Sequence, residues 1–205
     1  MVTEADARVL ELGSTIVLAR GGHVTPLAQD TLRARRIAVV RESGADVPSL
    51  APVEHVRTVA IAGDHTSIAL KTVIVRHLRG RGIAAHDLGT ATHEPVDYPD
   101  TASAAAVAVS RGEADAGIVI DGAGLGSTIA ANKVAGVRAA MCLTVTLARY
   151  AREHNGANVL ALGSTLITAD EATAIVDTFI DTPMREPRYI RRLEKIRDLE
   201  VHPRT

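Results

Sequence analysis

The sequence is poor in aromatic residues and in cysteine. Its 205 residues include one phenylalanine, three tyrosines, no tryptophan and a single cysteine, Cys142. A single cysteine excludes an intrachain disulfide and a zinc site built from several cysteines. Because aromatic rings are so scarce, the core must consist mainly of alanine, valine, isoleucine and leucine, which is typical of tightly layered α/β folds.

An excess of charge of one sign is also absent. The chain has 23 lysines and arginines against 24 aspartates and glutamates, which gives a net charge of −1. This balance excludes a generally basic nucleic-acid-binding protein. No apolar run is long enough to span a membrane, and the acidic first residues do not resemble a signal peptide. We therefore expect a cytoplasmic protein with no nucleic-acid or membrane partner.

Short apolar runs alternate with helical patterns after residue 56. The runs are continuous, which favours parallel strands that are buried on both faces. Their order predicts an α/β domain with a five-stranded parallel sheet and helices on both of its faces. Ligands of such sheets bind beyond the carboxyl ends of the strands, so the residues after each strand are the first candidates for a site. The five runs are residues 57–62, 83–88, 115–120, 137–142 and 158–162.

Residues 1–56 are predicted to form an N-terminal extension and linker ahead of the domain at 57–205. Thr25 and Pro26 are typical of the start of a helix, with threonine as the N-cap and proline in the first turn. The stretch 44–56 contains two prolines and little periodicity, which favours a linker. The helix and a following strand at 37–40 offer for burial Leu27, Leu32 and Ile37.

Polar residues follow the first two predicted strands. Asp64 and His65 come directly after the first strand, where such a pair can bind sugar hydroxyls or act as acid and base. The alternative is that Asp64 only caps the next helix. Tyr98 follows the second strand, and its hydroxyl is a candidate ligand contact.

A glycine-rich loop follows the third strand. Gly122, Gly124 and Gly126 allow backbone N–H groups to converge on an anion, and Ser127 ends the loop. The spacing fits neither the dinucleotide fingerprint nor a Walker loop. Asp121, at the strand tip, could take a proton from a carbon next to a carbonyl while the loop holds the enediolate. The alternative is that Asp121 only hydrogen-bonds the loop.

The C-terminal third of the domain contains a histidine and several arginines. His154 lies at a predicted helix end, and Arg152 precedes it by two residues. Arg188 and Arg192 are spaced i, i+4, so that one helical face could hold a phosphate. The alternative is a solvated basic face whose arginines pair with the acidic residues Glu194 and Asp198.

Residues 57–198 resemble the ribose-5-phosphate isomerase B / galactose-6-phosphate isomerase family. The resemblance implies a Rossmann-like three-layer α/β/α sandwich, dimers or tetramers with active sites shared between subunits, and an aldose–ketose isomerisation of a sugar phosphate that needs no metal or cofactor. It covers more than two thirds of the chain. The matching stretches are GDH (63–65) with Lys71, DLGT (87–90), DYPD (97–100), GEAD (112–115), GAGLGSTIAANKVAGVRAA (122–140), AREHNGANVLALG (151–163) and RYIRRLEKI (188–196).

The resemblance also implies a role for each candidate residue. The base would be Asp121, beside an enediolate held by the loop of Gly122, Gly124, Gly126 and Ser127. His154 would open the sugar ring, and Asn132 would support the glycine loop. The sugar would be contacted by Asp64, His65, Tyr98 and Asn155, and the phosphate by Arg152, Arg188 and Arg192, some of them from the partner subunit.

Two departures from the family pattern concern the substrate. Many members carry a cysteine base at the position of Asp121, another branch uses a glutamate at the position of Ser127, and a histidine often stands at the position of Tyr189. The substrate is therefore expected among ribose 5-phosphate, ribulose 5-phosphate and related tetrose, pentose or hexose phosphates. The alternatives are a sugar-phosphate-binding protein of regulation or assembly without isomerase activity, and an isomerase or epimerase of an unusual sugar phosphate.

The N-terminal extension lies outside the usual family domain. Residues 24–40 resemble short segments attached to enzymes of bacterial microcompartments. The resemblance implies a shell or cargo partner for residues 1–43 and a location inside such a compartment. The alternative is an oligomerisation or lid segment.

Overall fold

The chain folds into two compact units. A computed structural model describes residues 1–18, 22–41 and 50–201. Its contacts divide the chain into Met1–Pro48 and Ser49–Thr205. The division falls earlier than the boundary predicted at residue 56, because the last residues of the expected linker pack with the second unit. Most of the remaining linker lies outside the described residues.

The end of the expected linker is held by the second unit through backbone contacts. Val56 is buried in the core of that unit. The carbonyl of Leu50 accepts a hydrogen bond from Arg138 at 2.8 Å, and that of Val53 accepts one from Arg152 at 2.8 Å. Residues 50–56 therefore belong structurally to the domain that follows them.

In the described residues of the first unit, 1–18 and 22–41, there are two helices and two short parallel strands. As predicted, a helix begins after the N-cap Thr25, whose hydroxyl accepts the N–H of Ala28. Leu32 and Ile37 are buried, but Leu27 is 59% exposed, so the prediction that it is buried is wrong. The elements are α1 (Glu4–Val9), β1 (Thr15–Leu18), α2 (Pro26–Ala34) and β2 (Ala38–Arg41).

The second unit is built on one parallel sheet. Its five strands are hydrogen-bonded in the order β4-β3-β5-β7-β6, with every pair parallel. Each of the five predicted apolar runs overlaps one strand, so the predicted sheet is confirmed. The strands are β3 (Thr58–Gly63), β4 (Ala84–Asp87), β5 (Ala116–Asp121), β6 (Ala139–Met141) and β7 (Val159–Gly163).

Helices cover both faces of this sheet, as the α/β/α expectation requires. One face packs against α3, α6 and α7 through branched side chains, and the other packs against α4 and α5 through a layer rich in alanine. Small alanine side chains let a helix approach the sheet closely. The helices are α3 (Ile68–Gly80), α4 (Tyr98–Ser110), α5 (Leu125–Ala131), α6 (Val145–Glu153), α7 (Ala169–Asp181) and α8 (Pro187–Val201).

The parallel topology gives the sheet two chemically different edges. The carboxyl ends of β3, β5 and β7 meet at one edge, and the loops that enter these strands meet at the other. In the described part of the chain, no helix has the length and apolar character needed to cross a membrane.

Candidate active site

The loops that follow β3, β5 and β7 are tied together by hydrogen bonds. Thr165 donates to the carbonyl of Gly122 from its N–H at 3.0 Å and from its hydroxyl at 2.7 Å. Ser164 donates its N–H to the carbonyl of Asp121 at 2.8 Å and its hydroxyl to the carbonyl of Thr66 at 3.3 Å. The residues predicted to follow the first and third core strands therefore meet at one edge of the sheet.

Asp121 lies at the centre of this edge. Its side chain is held by the glycine loop, and the residue is only 5% exposed. Oδ1 accepts the N–H groups of Ala123 at 2.9 Å and of Gly124, and Oδ2 accepts the N–H of Ser127 at 2.7 Å. Gly124 adopts a φ of +78°, which favours glycine and curls the loop around the carboxylate. The loop thus forms an anion-binding nest whose anion is the side chain of Asp121.

This geometry corrects one part of the sequence prediction. The sequence motifs predict that the N–H groups of the loop hold an enediolate. Three of these groups instead donate to Asp121 and are not free for that role. The next donors are the N–H groups of Leu125 and Gly126, which open α5 and have no partner within the helix. Among the described residues, neither donates a backbone hydrogen bond elsewhere. Since a carboxylate oxygen can accept two hydrogen bonds, Oδ2 of Asp121 also retains one acceptor position.

The ring of Tyr98 lies directly on the glycine loop. A Cβ atom placed on Gly126 would come within 2.6 Å of Cε2 and Cζ of this ring, so only glycine fits there without displacement. Tyr98 is 42% exposed, which leaves one side of its ring open to solvent. The tyrosine therefore lies against Gly126, one of the two residues whose N–H groups open α5.

Asp64 and His65 face the same edge. Oδ1 of Asp64 accepts the N–H of Thr66 at 2.9 Å and its hydroxyl at 2.6 Å, while the N-cap position of α3 is Ser67. The capping alternative for Asp64 is therefore wrong, because its carboxylate closes the turn before the helix. Nδ1 of His65 accepts the N–H of Val96 at 3.3 Å. In a neutral ring this bond assigns the proton to Nε2, which can then donate to a ligand.

A buried lysine, for which the sequence motifs predict no separate role, supports the loop next to these residues. Lys71 is 2% exposed, and its Nζ donates to Oδ1 of Asp87 at 2.6 Å and to the carbonyl of Thr90 at 2.7 Å. These bonds fix the loop that leads from β4 towards Val96. A signal was available, because Lys71, Ile74 and Leu78 share the i, i+3, i+7 spacing of one buried helix face.

His154 lies at the opposite edge of the sheet. It is the C-cap residue of α6, and its ring contacts Tyr150 at 4.7 Å and Tyr189 at 4.9 Å between ring centroids. The guanidinium carbons of Arg188 and Arg192 lie 4.9 Å and 5.5 Å from the centroid of Tyr189. Asn155 follows His154 and lines a cavity of about 370 Å³. We refer to His154, Asn155, Arg188 and Arg192 as the amino-end cluster.

One chain does not bring the two halves of the predicted site together. Asp121 is paired with Gly163 at the end of β7, whereas His154 and Asn155 of the amino-end cluster precede Val159 at its start. The rise along a strand separates these two ends by roughly 13 Å. The carboxyl-end cluster, which consists of Asp64, His65, Tyr98, Asp121 and the loop 122–127, is therefore remote from the amino-end cluster of the same chain.

Arg152 departs from its predicted role as a phosphate ligand. It is fully buried, with its guanidinium 5.0 Å from the ring of Phe179. Nη1 donates to the carbonyl of Ala157 at 3.0 Å and Nη2 to that of Val53 at 2.8 Å. Burial, aided by the charge of Arg138, lowers the pKa of Arg152 to about 10. Because its charge faces inward, the phosphate-binding prediction for Arg152 is replaced by a structural role.

Arg188 and Arg192, by contrast, are exposed on α8. Arg188 comes within 3.6 Å of Glu186. Among the described residues, neither arginine forms an ion pair with Glu194 or Asp198. The alternative in which these two acids neutralise both arginines is therefore not realised, and both guanidiniums remain accessible to a ligand.

Asn132 connects the glycine-loop helix to the sheet. Its Nδ2 donates to the carbonyls of Thr128 at 3.0 Å and Ala139 at 2.9 Å, and its Oδ1 accepts the N–H of Ala139 at 2.9 Å. This side chain joins α5 to the edge strand β6. These contacts run to backbone groups of Thr128 and Ala139 and not to the loop itself, so the support of the loop by Asn132 stays a prediction.

The single cysteine of the chain lies outside the glycine loop, in a buried position. Cys142 is buried after β6, and burial raises the pKa of its thiol to about 12. The chain's only cysteine is therefore a thiol at neutral pH. Within the described ranges, no three His, Cys, Asp or Glu side chains are grouped so that they could hold a metal ion.

Comparison with known proteins decides the family. A family model described as Ribose/Galactose Isomerase matches residues 59–196. The chain belongs to this family. Ribose-5-phosphate isomerase B of Escherichia coli (strain K12) is 42% identical over 144 residues, which cover 70% of this chain and 97% of the relative. The family predicted from the sequence motifs is confirmed.

Solved structures of the ribose/galactose isomerase family confirm the fold. Ribose-5-phosphate isomerase B of Clostridium thermocellum has a TM-score of 0.69 at 46% identity, covering 70% of this chain and 97% of that one. The Mycoplasma genitalium enzyme with bound ribulose-5-phosphate has a TM-score of 0.68 at 39% identity, covering 71% and 97%. The five-stranded core therefore has the family architecture, while the family model begins only after the unit Met1–Pro48.

Proposed function

We propose that this member of the family interconverts an aldose phosphate and a ketose phosphate, with Asp121 as the base that moves the proton between C2 and C1. The observation that carries the proposal is the way in which the two carboxylate oxygens of Asp121 are hydrogen-bonded. Its carboxylate is anchored through Oδ1 in the nest, while Oδ2 keeps an acceptor position at the carboxyl edge of the sheet. The substrate named for the curated relatives, ribose 5-phosphate, is the first candidate.

The residues around Asp121 support the steps of such a reaction. Oδ2 takes the proton from C2 of the open-chain aldose, and the negative charge passes to the C1 oxygen, where the N–H groups of Leu125 and Gly126 are the available donors. The proton on Oδ2 exchanges with solvent during the lifetime of the enediolate, Oδ2 then protonates C1, and the proton of the C2 hydroxyl passes to the C1 oxygen to complete the ketose. In this proposal, hydroxyl groups of the sugar are held by Asp64, Nε2 of His65 and Tyr98.

The separation of the two clusters supports a site shared by two chains. A small sugar phosphate that touches Asp121 does not reach the arginines at the far edge of the same sheet. We propose a homodimer, alone or within a tetramer, in which the amino-end cluster of one chain meets the carboxyl-end cluster of its partner. His154 then opens the sugar ring, Asn155 holds the substrate, and Arg188 and Arg192 bind its phosphate.

Solvent deuterium incorporation tests the base directly. Four-, five- and six-carbon sugar phosphates are incubated in deuterium oxide with the wild-type protein, Asp121→Asn and Asp121→Cys. The wild type should incorporate deuterium, and Asp121→Asn should lose at least about 10²-fold in rate, the usual contribution of a general base. Asp121→Cys restores the base of many family members and should recover exchange, which makes it the matched control.

The outcomes separate the competing functions. Normal exchange by a folded Asp121→Asn protein would show that another group is the base. Binding of sugar phosphates by the wild type without any exchange would favour a regulatory or assembly protein. Exchange confined to a tetrose or an acid-sugar phosphate would support an unusual isomerase or epimerase.

The unit Met1–Pro48 supports a second, separate role. It has its own core of Ala7, Ala28, Leu32 and Ile37, and it precedes the region matched by the family model. We propose that it binds a partner such as a microcompartment shell protein. Removal of residues 1–48 should leave isomerisation intact and abolish co-purification with the shell, whereas a loss of turnover would favour the lid alternative.

A further inference from the structure

Two of the three tyrosines of this chain contact one histidine. Tyr150 lies one helical turn before His154 on α6, and its ring stacks on the imidazole with an angle of 15° between the planes. Tyr189 comes from α8, and its ring meets the imidazole at an angle of 38°. In a chain with 2% aromatic residues, this concentration at a single side chain calls for a physical reason.

Stacking is what orients the ring of His154. The nearest carboxylate is Oε1 of Glu153, 3.9 Å from Nε2, which is too far for a hydrogen bond. Among the described residues, neither ring nitrogen of His154 takes part in a hydrogen bond. A functional histidine is usually oriented by a hydrogen bond to its second nitrogen. Here both nitrogens remain available to a ligand, and the aromatic contacts take over the orienting role.

Tyr189 also contacts the arginines of the same cluster. Its ring is 7% exposed and lies beneath the guanidiniums of Arg188 and Arg192. Its hydroxyl accepts a hydrogen bond from Nη2 of Arg188 at 3.0 Å. Tyr189 is thus the side chain that touches both His154 on α6 and the two arginines on α8.

We propose that Tyr189 is a positioning residue that fixes the imidazole of His154 relative to the phosphate-binding arginines, so that a sugar held by its phosphate presents its ring oxygen to that imidazole. This inference rests on the proposed function. It assigns Tyr189 to ring opening alone, because the proton transfer at Asp121 takes place at the other cluster. The aromatic ring of Tyr189 carries the role, and its hydroxyl serves the arginine.

Two substrates of one reaction separate ring opening from proton transfer. Ribose 5-phosphate is mainly a closed furanose, because its C4 hydroxyl attacks C1. Ribulose 5-phosphate cannot close the corresponding ring, because the phosphate occupies its C5 oxygen. Turnover from ribose 5-phosphate therefore needs ring opening, whereas deuterium exchange into ribulose 5-phosphate needs only the base.

The variant to compare with the wild type is Tyr189→Leu, with Tyr189→Phe as the matched control that keeps the ring and loses the hydroxyl. We expect Tyr189→Leu to lower kcat from ribose 5-phosphate by roughly 10²-fold, the scale of general acid–base catalysis. Exchange into ribulose 5-phosphate should retain its maximal rate. Tyr189→Phe should retain both rates, with a higher KM for both substrates because Arg188 loses its hydroxyl partner.

A structural role would lower both rates of Tyr189→Leu by the same factor, and this result would overturn the inference. Turnover by the wild type of tetrose 4-phosphates alone, which cannot form a furanose, would overturn it too while leaving the proposed function intact. Absence of exchange with any sugar phosphate would instead overturn the proposed function.

If Tyr189→Leu does not fold, Tyr189→Met fills the buried position without a ring and gives the same comparison. The NMR signal of the His154 Cε1–H provides an independent readout, since it should lose the Tyr189 contribution to its ring-current shift in the leucine or methionine variant and keep that contribution in the phenylalanine variant.

Discussion

Gly126→Ala tests whether the ring of Tyr98 lies on the glycine loop. The added methyl group would sit 2.6 Å from two ring carbons of Tyr98 and 3.1 Å from a third. Real Cβ atoms do not approach carbon so closely, so the ring must move. The backbone at Gly126 is not in the left-handed region, and alanine can adopt its helical conformation without strain. The substitution therefore perturbs one contact and little else.

The expected cost follows from two opposing effects. Overpacking of this kind costs typically about 1–3 kcal/mol of unfolding free energy. Replacement of glycine by alanine within a helix returns roughly 0.5–1 kcal/mol. Because Tyr98 is partly exposed and can swing outwards, we expect a net loss of about 1 kcal/mol. In a Tyr98→Ala background the clash disappears, so the same change should stabilise the protein by up to about 1 kcal/mol.

A double-mutant cycle measures this reversal. Urea unfolding of the wild type, both single variants and the double variant gives a coupling free energy, which should be about 2 kcal/mol. Equal m-values across the four proteins are required for the comparison. A coupling near zero would show that the ring does not rest on Gly126. In kinetics, Gly126→Ala should raise KM for the sugar phosphate, because the displaced Tyr98 no longer holds the sugar hydroxyl that the proposed function assigns to it.

Three further predictions concern groups away from Asp121. The thiol of Cys142, whose pKa burial raises to about 12, should resist alkylation at pH 8 until the protein is unfolded, and rapid labelling of the native protein would contradict its burial. Arg152→Lys should lower the unfolding free energy by about 1–3 kcal/mol, because a hydrogen bond to a buried carbonyl is lost, and it should leave KM unchanged. A raised KM with normal stability would instead support the prediction that Arg152 binds phosphate. The capping-box bonds to Thr168 lower the pKa of Glu171. The stabilising effect of this carboxylate is therefore present above the ordinary titration range of glutamate and is lost as the pH falls through the lowered pKa. Glu171→Gln should flatten the acid limb of a stability profile measured between pH 3 and 7, which roughly spans that titration.

The sheet and its helices were predictable from the sequence because they depend on local patterns. Continuous runs such as 115–120 can be buried only between two helical layers. The spacing of Thr168 and Glu171 is typical of a capping box, and both of its hydrogen bonds form at the start of α7. The buried face behind it consists of Ala172, Ile175, Val176 and Phe179. The chain order of strands and helices then left few parallel topologies.

The details of the site were less predictable because they depend on where charge can find partners. The family resemblance implied a phosphate-binding role for Arg152, but its guanidinium contacts the carbonyls of Val53 and Ala157 and the ring of Phe179 inside the domain. The supporting role of Lys71 was not predicted, because a lysine on a buried helix face is uncommon. Its partners Asp87 and Thr90 are 16 and 19 residues away in the sequence, so no local sequence pattern indicates them.

The chemistry of the nest explains how an aspartate can stand where many family members carry a cysteine. The N–H groups of Ala123, Gly124 and Ser127 converge on a point that needs negative charge. In the proposed reaction, a thiolate would accept these N–H groups and take the proton of C2 with the same atom. A carboxylate divides the two tasks, because Oδ1 accepts two of the N–H groups while Oδ2, with one, keeps an acceptor position that the proposal assigns to the proton of C2. An amide at this position presents an NH₂ group to an N–H donor on one side of the nest, so Asp121→Asn should weaken the loop as well as remove the base. Asp121→Cys is therefore the more informative variant, since recovery of exchange by a thiolate would show that the nest, and not the chemical identity of its anion, is what the reaction requires.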